Sequence, residues 1–226
     1  MAAPQLSTPP VRVPELVWVR PPQQARSQLT LSRILDATEA ILAEKSWEDT
    51  GVAEIARRAG SSVGAFYTRF TDKDALLAAL HQRFLDEAAA TAEAALEETR
   101  WSGASICGIV RELVAFQVRV NDQRRGLLRA LVLCAIRDPS FKARAERLNE
   151  RMEALFTKLV VARRHEILHP VPVVAAGFVA RLINAMLVSR LLDPKFVPAG
   201  LSFVDELTHA ALAYLGVFPE DAIDVL

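Results

Sequence analysis

The residues of this 226-residue chain able to do chemistry crowd into one short stretch. Thr50, Tyr67, Thr68, Arg69 and Lys73 put hydroxyls and cations within a few residues of one another, the groups that hold phosphate oxygens. Between them Ser61, Ser62, Val63, Gly64 and Ala65 are small enough for close approach to a base edge. From Ile55 to Lys73 the charges are Arg57, Arg58, Arg69 and Lys73 against Asp72 alone, a small positive footprint suited to reading a nucleic acid. Enzyme chemistry is harder to assemble. Of the histidines His81, His165, His169 and His209, only His165 and His169 have a ligand-like spacing, and Pro170 follows with no third ligand nearby. There is no phosphate-cradling glycine loop and no Gly-x-Ser-x-Gly elbow, so neither catalysis nor a cofactor or metal is expected.

Those residues need two short helices crossing at a tight turn. Ala56 permits close approach of a second helix, Gly60 can take the positive φ that ends the first, and Phe66 supplies the apolar contact six residues on. Ser61 and Ser62 offer hydroxyls to cap the next helix, predicted over 62–69. An ordinary helical hairpin is the alternative for this window alone.

The flanks extend the pattern: Arg33-Ile34-Leu35-Asp36-Ala37, Ile41 to Glu44, Thr50, Ile55-Ala56, Ala59-Gly60, Ser62, Gly64, Phe66-Tyr67, Phe70, Lys73 and Leu76-Leu77 fall in register. Over residues 28–80 the chain resembles the TetR family of transcriptional regulators. The resemblance implies an all-α protein, with an N-terminal three-helix domain carrying a helix-turn-helix and a larger helical ligand-binding and dimerisation domain behind it. The expected division is an arm over 1–27, the DNA-binding domain over 28–75 and the effector and dimerisation domain over 76–226. Four positions depart from the family. Ser46 stands where a glycine usually ends the first helix, which predicts a strained left-handed residue at a cost of about 1 kcal/mol. Gly51 replaces a common threonine, leaving Thr50 as cap and phosphate contact. Ser61 stands for a usual buried valine, and Arg69 for a common histidine.

Composition agrees with a folded domain pair: 51% hydrophobic residues and 27 basic against 27 acidic side chains. Cys107 and Cys134, in apolar patterns without a CxxC, read as free thiols of a reducing cytoplasm, with a disulfide as the alternative. The apolar run 171–180 stops at Arg181, and no secretory leader precedes Gln28, so no membrane association is expected. Six of the twelve prolines fall in the first 25 residues. That segment reads as a tail, solvated or packed through Leu16, Val17, Trp18 and Val19, or as an arm laying Arg12 and Arg20 in a minor groove.

Beyond residue 70 the periodicity is helical throughout. A helix is expected from Thr71 or Asp72 toward Glu98, another opening at Ser102, another capped by Asn121 or Asp122, another at Pro139-Ser140, then 171–192 and 203–215. The 171–192 segment is apolar around much of its circumference and must be covered on every side. By the resemblance, it and 203–215 form a four-helix homodimer interface, with Ala176, Val179, Leu182, Met186, Leu207, Ala211 and Tyr214 the candidates; the alternative is two core helices of a monomer. An effector pocket for a small, largely apolar molecule is expected among Trp101, Phe116, Met152, Phe156, Phe178 and Asn184. The function so implied is a ligand-released regulator, most simply a repressor, on a palindromic double-stranded DNA operator. The alternative is a dimer of the same build that binds ligands or proteins without specific DNA binding.

Overall fold

The computed structural model describes Leu16, residues 26–193 and residues 195–218. The proposed minor-groove arm, Arg12 and Arg20 included, lies outside these residues. Among them the chain is helical without a strand: α1 Arg26–Leu42, α2 Val52–Arg58, α3 Val63–Tyr67, α4 Lys73–Ala95, α5 Ile106–Gln123, α6 Arg125–Arg137, α7 Pro139–Ala162, α8 Pro172–Leu192 and α9 Phe203–Leu215.

Most helix starts follow from local capping chemistry. The Asp72 carboxylate accepts the Ala75 N–H at 2.7 Å and starts α4. Asp138 accepts the Ser140 N–H at 2.7 Å with Pro139 in the first turn, the position where a missing N–H costs nothing. Ser202 caps α9, which ends at Gly216 with φ 70°. Two expected boundaries move. The helix expected at Ser102 starts after Ser105, because Glu98–Trp101 forms a 3-10 turn and Gly103 takes φ 75°. Asn121 and Asp122 cap nothing: α5 runs through them to Gln123, and α6 follows after Arg124.

Two cores form. The first gathers Ile34, Leu35 and Ile41 of α1, Ile55 of α2, Phe66 of α3 and Leu76, Leu77 and Leu80 of α4, closed by Leu127, Ala130 and Leu131 of α6 and Phe141 of α7. The second packs the end of α4 with α5, α7, α8 and α9 around Trp101, Ile106, Ile109, Leu159 and Leu207, and it takes in Leu16. The first core therefore borrows α6 from the part of the chain that builds the second. Arg163, 8% exposed, ties the second core's base by donating to the Trp101 carbonyl at 2.7 Å and the Ala104 carbonyl at 3.0 Å.

Candidate nucleic-acid interface

The turn between α2 and α3 closes through the backbone. Gly60 sits at φ 61°, the Ser61 N–H reaches the Ala56 carbonyl at 2.9 Å and the Gly60 N–H reaches Arg57 at 3.2 Å. This pair of bonds satisfies the carbonyls that end α2, and it needs the left-handed residue that glycine supplies. Ala56, 1% exposed, lets the helices cross closely. The Ser62 hydroxyl accepts the Ala65 N–H at 3.1 Å and caps α3, which spans five residues rather than the eight expected over 62–69. Phe66 is fully buried, and Tyr67 stands edge-on to it at 5.3 Å with 55% of its surface exposed.

The outward face thus comprises Ser62, Val63, Gly64, Tyr67, Thr68 and Arg69, all exposed, with Ala65 and Ser61 half-buried behind them. The Thr68 hydroxyl donates to the Gly64 carbonyl at 3.0 Å, so it faces back along the helix. Of the four cations counted in the sequence, Arg58 is held by both Glu44 oxygens, which raises the guanidinium's pKa and lowers the carboxyl's. The exposed Arg57 and Arg69 lie in no ion pair among the described residues.

Three expectations about this domain are corrected. Thr50 is 3% exposed and donates to the Ser46 carbonyl at 2.8 Å; it neither caps α2 nor faces a phosphate. The residue at the head of α2 is Gly51, in extended conformation with no side chain to cap it. Lys73 is half-buried, its ammonium donating to the Trp47 carbonyl and lying 4.4 Å from the Trp47 ring, and burial pushes its pKa down. Ser46, instead of ending α1, starts the next turn: its hydroxyl accepts the Asp49 N–H at 3.2 Å, and α1 has already ended at Leu42.

The residues expected to line an effector pocket do not converge. Trp101 is fully buried with its indole N–H on the Ala95 carbonyl at 2.7 Å, Phe116 and Phe156 belong to the second core and Met152 packs against that core, whereas Phe178 and Asn184 face outward from α8. The candidate dimer residues divide in the same way. Ala176, Val179, Leu207 and Ala211 are consumed inside the second core, and Leu182 and Met186 are half-buried. Tyr214, 38% exposed, stacks on Phe178 at 4.4 Å. The outward face of α8 instead carries Val173, Val174, Phe178, Arg181, Asn184 and Ala185, beside Ala210, Ala213 and Tyr214 of α9. α8 is also long and apolar enough to cross a membrane by length and composition, so the short run that stops at Arg181 understates it. Arg181, however, is held by both oxygens of Glu153 on α7 at 3.0 Å. His165 and His169 do not share a helix face, since His165 sits in a 3-10 turn and the His169 ring meets the Val171 backbone.

One joint invisible in the sequence ties α3's domain to the rest. The Arg124 guanidinium, ahead of α6, reaches Glu39 of α1 at 2.6 and 3.1 Å and Glu87 of α4 at 2.8 Å, and Arg83 meets the same Glu39 at 2.8 Å. Two residues on, Gly126 lies against α1 so closely that a Cβ there would stand 1.7 Å from the Leu42 carbonyl oxygen. Nothing local in the sequence marks this joint, because partners at 39, 87 and 124 meet only once the chain has folded.

Residues 34–80 match the family model described as bacterial regulatory proteins, tetR family. No curated protein sequence matches the chain. Among solved structures, a TetR-family transcriptional regulator from Mesorhizobium loti is 24% identical over 85% of this chain and 96% of its own, with a TM-score of 0.63. GusR of Salmonella enterica is 20% identical over 85% and 98%, TM-score 0.62. A TetR transcription regulator from Haloarcula marismortui is 16% identical over 84% and 98%, TM-score 0.66. These likenesses extend the fold over the helical body, where the family model does not reach. With α3 turned outward, residues 34–80 carry the helix-turn-helix of the tetR family of bacterial regulatory proteins, and the chain as a whole shares the fold of these solved regulators.

Proposed function

We propose that this chain is a cytoplasmic, ligand-responsive repressor that binds a pseudo-palindromic operator as a homodimer and lets go when a small, largely apolar molecule binds its helical body. The observation that carries the reading is the outward face of α3, where small residues and a serine precede an exposed tyrosine and an arginine free of ion pairs. Ser62, Val63, Gly64 and Ala65 approach the bases, reading thymine methyls and groove shape more than hydrogen-bonding patterns. Tyr67, Arg69 and Arg57 hold the backbone and fix register, while the Thr68 hydroxyl is committed to the Gly64 carbonyl.

One such helix makes few contacts, so specificity needs a second copy on a two-fold axis. The apolar outward face of α8 with α9, where Val174, Phe178 and Tyr214 stand open, suits a self-complementary interface. Half-sites then lie about 34 to 36 Å apart in successive major grooves. A ligand acts only through a difference in its affinity for the DNA-fitting and the released arrangements, typically about 1 to 3 kcal/mol.

The test is to sequence the genomic fragments retained by the full chain at a stated salt concentration, beside a Tyr67→Ala/Arg69→Ala variant. Enrichment of one palindromic site by the wild type alone supports the reading. No enrichment at low salt turns it toward a dimer without specific DNA binding, an alternative favoured by the loss of Arg58 and Lys73 from the free positive surface.

A further inference from the structure

At the joint between the two cores a cavity of about 470 Å³ opens between the first turn of α6, the C-terminal end of α8 and the start of α9, lined by Arg125, Arg190, Val197, Leu201 and Phe203. It is an open cleft, broad enough to admit a small molecule from the surface. Its walls divide by chemistry. Arg190 is paired with Asp122 at 2.8 Å and lies 5.1 Å from the Phe203 ring. Arg125 lies in no ion pair among the described residues and spends one N–H on the Arg190 carbonyl at 3.2 Å. Two guanidiniums against one carboxylate leave the cavity a net positive charge. Beside them Val197, Phe203 and the half-exposed Leu201 supply the apolar part of the lining.

We propose that this cavity binds an organic acid, its carboxylate on Arg125 and Arg190 and its hydrocarbon body along Val197, Leu201 and Phe203. An inorganic anion would leave the apolar wall in water, and a neutral hydrocarbon would strip water from Arg125 without replacing its partner. An amphipathic acid satisfies both halves.

The site's position gives it a route to the DNA-binding face. Three consecutive residues point three ways: Arg124 grips Glu39 and Glu87, Arg125 faces the cavity, and Gly126 bears on the Leu42 carbonyl at the end of α1. An acid drawing on Arg125 therefore acts on the same turn of backbone that seats α1 and α4. This regulatory consequence rests on the chain being a ligand-responsive DNA binder; the binding site itself does not.

Titration calorimetry of the full chain with octanoate, and with octanol as its neutral counterpart, tests the site directly. The wild type binds octanoate at least about tenfold more tightly than octanol. Arg125→Gln loses that preference and keeps octanol binding, and Val197→Trp, which fills the cavity from a loop, blocks both, with ligand-free thermal unfolding confirming that each variant folds. Equal binding of the two probes, no binding of either, or a preference that survives Arg125→Gln overturns the site. A second readout separates the regulatory half: octanoate lowers affinity for the retained genomic fragments in the wild type and not in Arg125→Gln. Bound octanoate with unchanged DNA affinity overturns the coupling. A chain that retains no fragment refutes the DNA-binding reading, while calorimetry still decides the acid site by itself.

Discussion

α3 and α8 are both left with an uncovered face, and the two faces are opposite in chemistry. α3 presents Ser62, Val63, Gly64, Tyr67, Thr68 and Arg69, a mixed face whose one aliphatic side chain stands among small, polar and basic groups that lose little in water until a hydrated groove replaces it. α8 presents Val173, Val174 and Phe178, each about half exposed, with only Arg181 and Asn184 to break the apolar surface. Such a face is costly in water and is relieved by another apolar face. On the proposed reading the first surface meets nucleic acid and the second meets another protomer, and the first depends on the second.

The sharpest way to break that dependence is Phe178→Asp. A buried carboxylate facing its own copy across a two-fold axis dissociates the dimer, and operator affinity falls about 1,000-fold although α3 is untouched. Light scattering and fluorescence anisotropy on the same samples check both halves. Next in size is the joint between the two regions. Arg124→Ala takes the guanidinium from Glu39 and from Glu87, whose side chain is 7% exposed, and costs about 3 kcal/mol in urea unfolding.

Acid separates the two regions in another way. His81, 3% exposed and stacked flat on Phe141 at 4.7 Å, belongs to the domain that carries α3, and burial, with Arg144 nearby, lowers its pKa from 6.5 to about 4. The folded state holds it neutral while the unfolded chain takes up a proton near pH 6.5. Stability is therefore full above that pH and declines toward pH 4 by up to about 3 kcal/mol. His81→Gln flattens this limb of the stability profile; an unchanged profile would show that the ring is not held neutral.

Smaller effects refine the DNA side alone. Arg69→Ala weakens operator binding about tenfold and reduces the salt slope by about 1 for each half-site, with no change in dimer mass. Gly51→Thr gives α2 the side-chain cap it lacks, in open space at φ −102°, and adds a few tenths of a kcal/mol, about the limit that thermal unfolding resolves.

What could be read from the sequence follows the range of the forces involved. The Ala56-Gly60-Phe66 turn was legible because a positive φ, a close crossing and a cap are properties of adjacent residues. Thr50 and Lys73 were misassigned because their fate depends on the loop before α2, where the Ser46 and Trp47 carbonyls claim both side chains. The α8 contacts were displaced for a different reason. A helix apolar around its circumference has no pattern to say which side faces home, so Ala176 and Val179 could not be told from Val174 and Phe178. The aromatic residues expected in a pocket had the spacing of core residues, and Trp101, Phe116 and Phe156 became core.

If two copies of α3, held by the α8 and α9 faces, read one DNA site together, their footprint must show it. Hydroxyl-radical cleavage of the most enriched genomic fragment, with wild type and Phe178→Asp side by side, makes that footprint visible. Wild type should protect two patches on one face of the duplex, about one helical turn apart, and the variant none at the same concentration. A single patch, or equal protection by the monomeric variant, would contradict the paired reading.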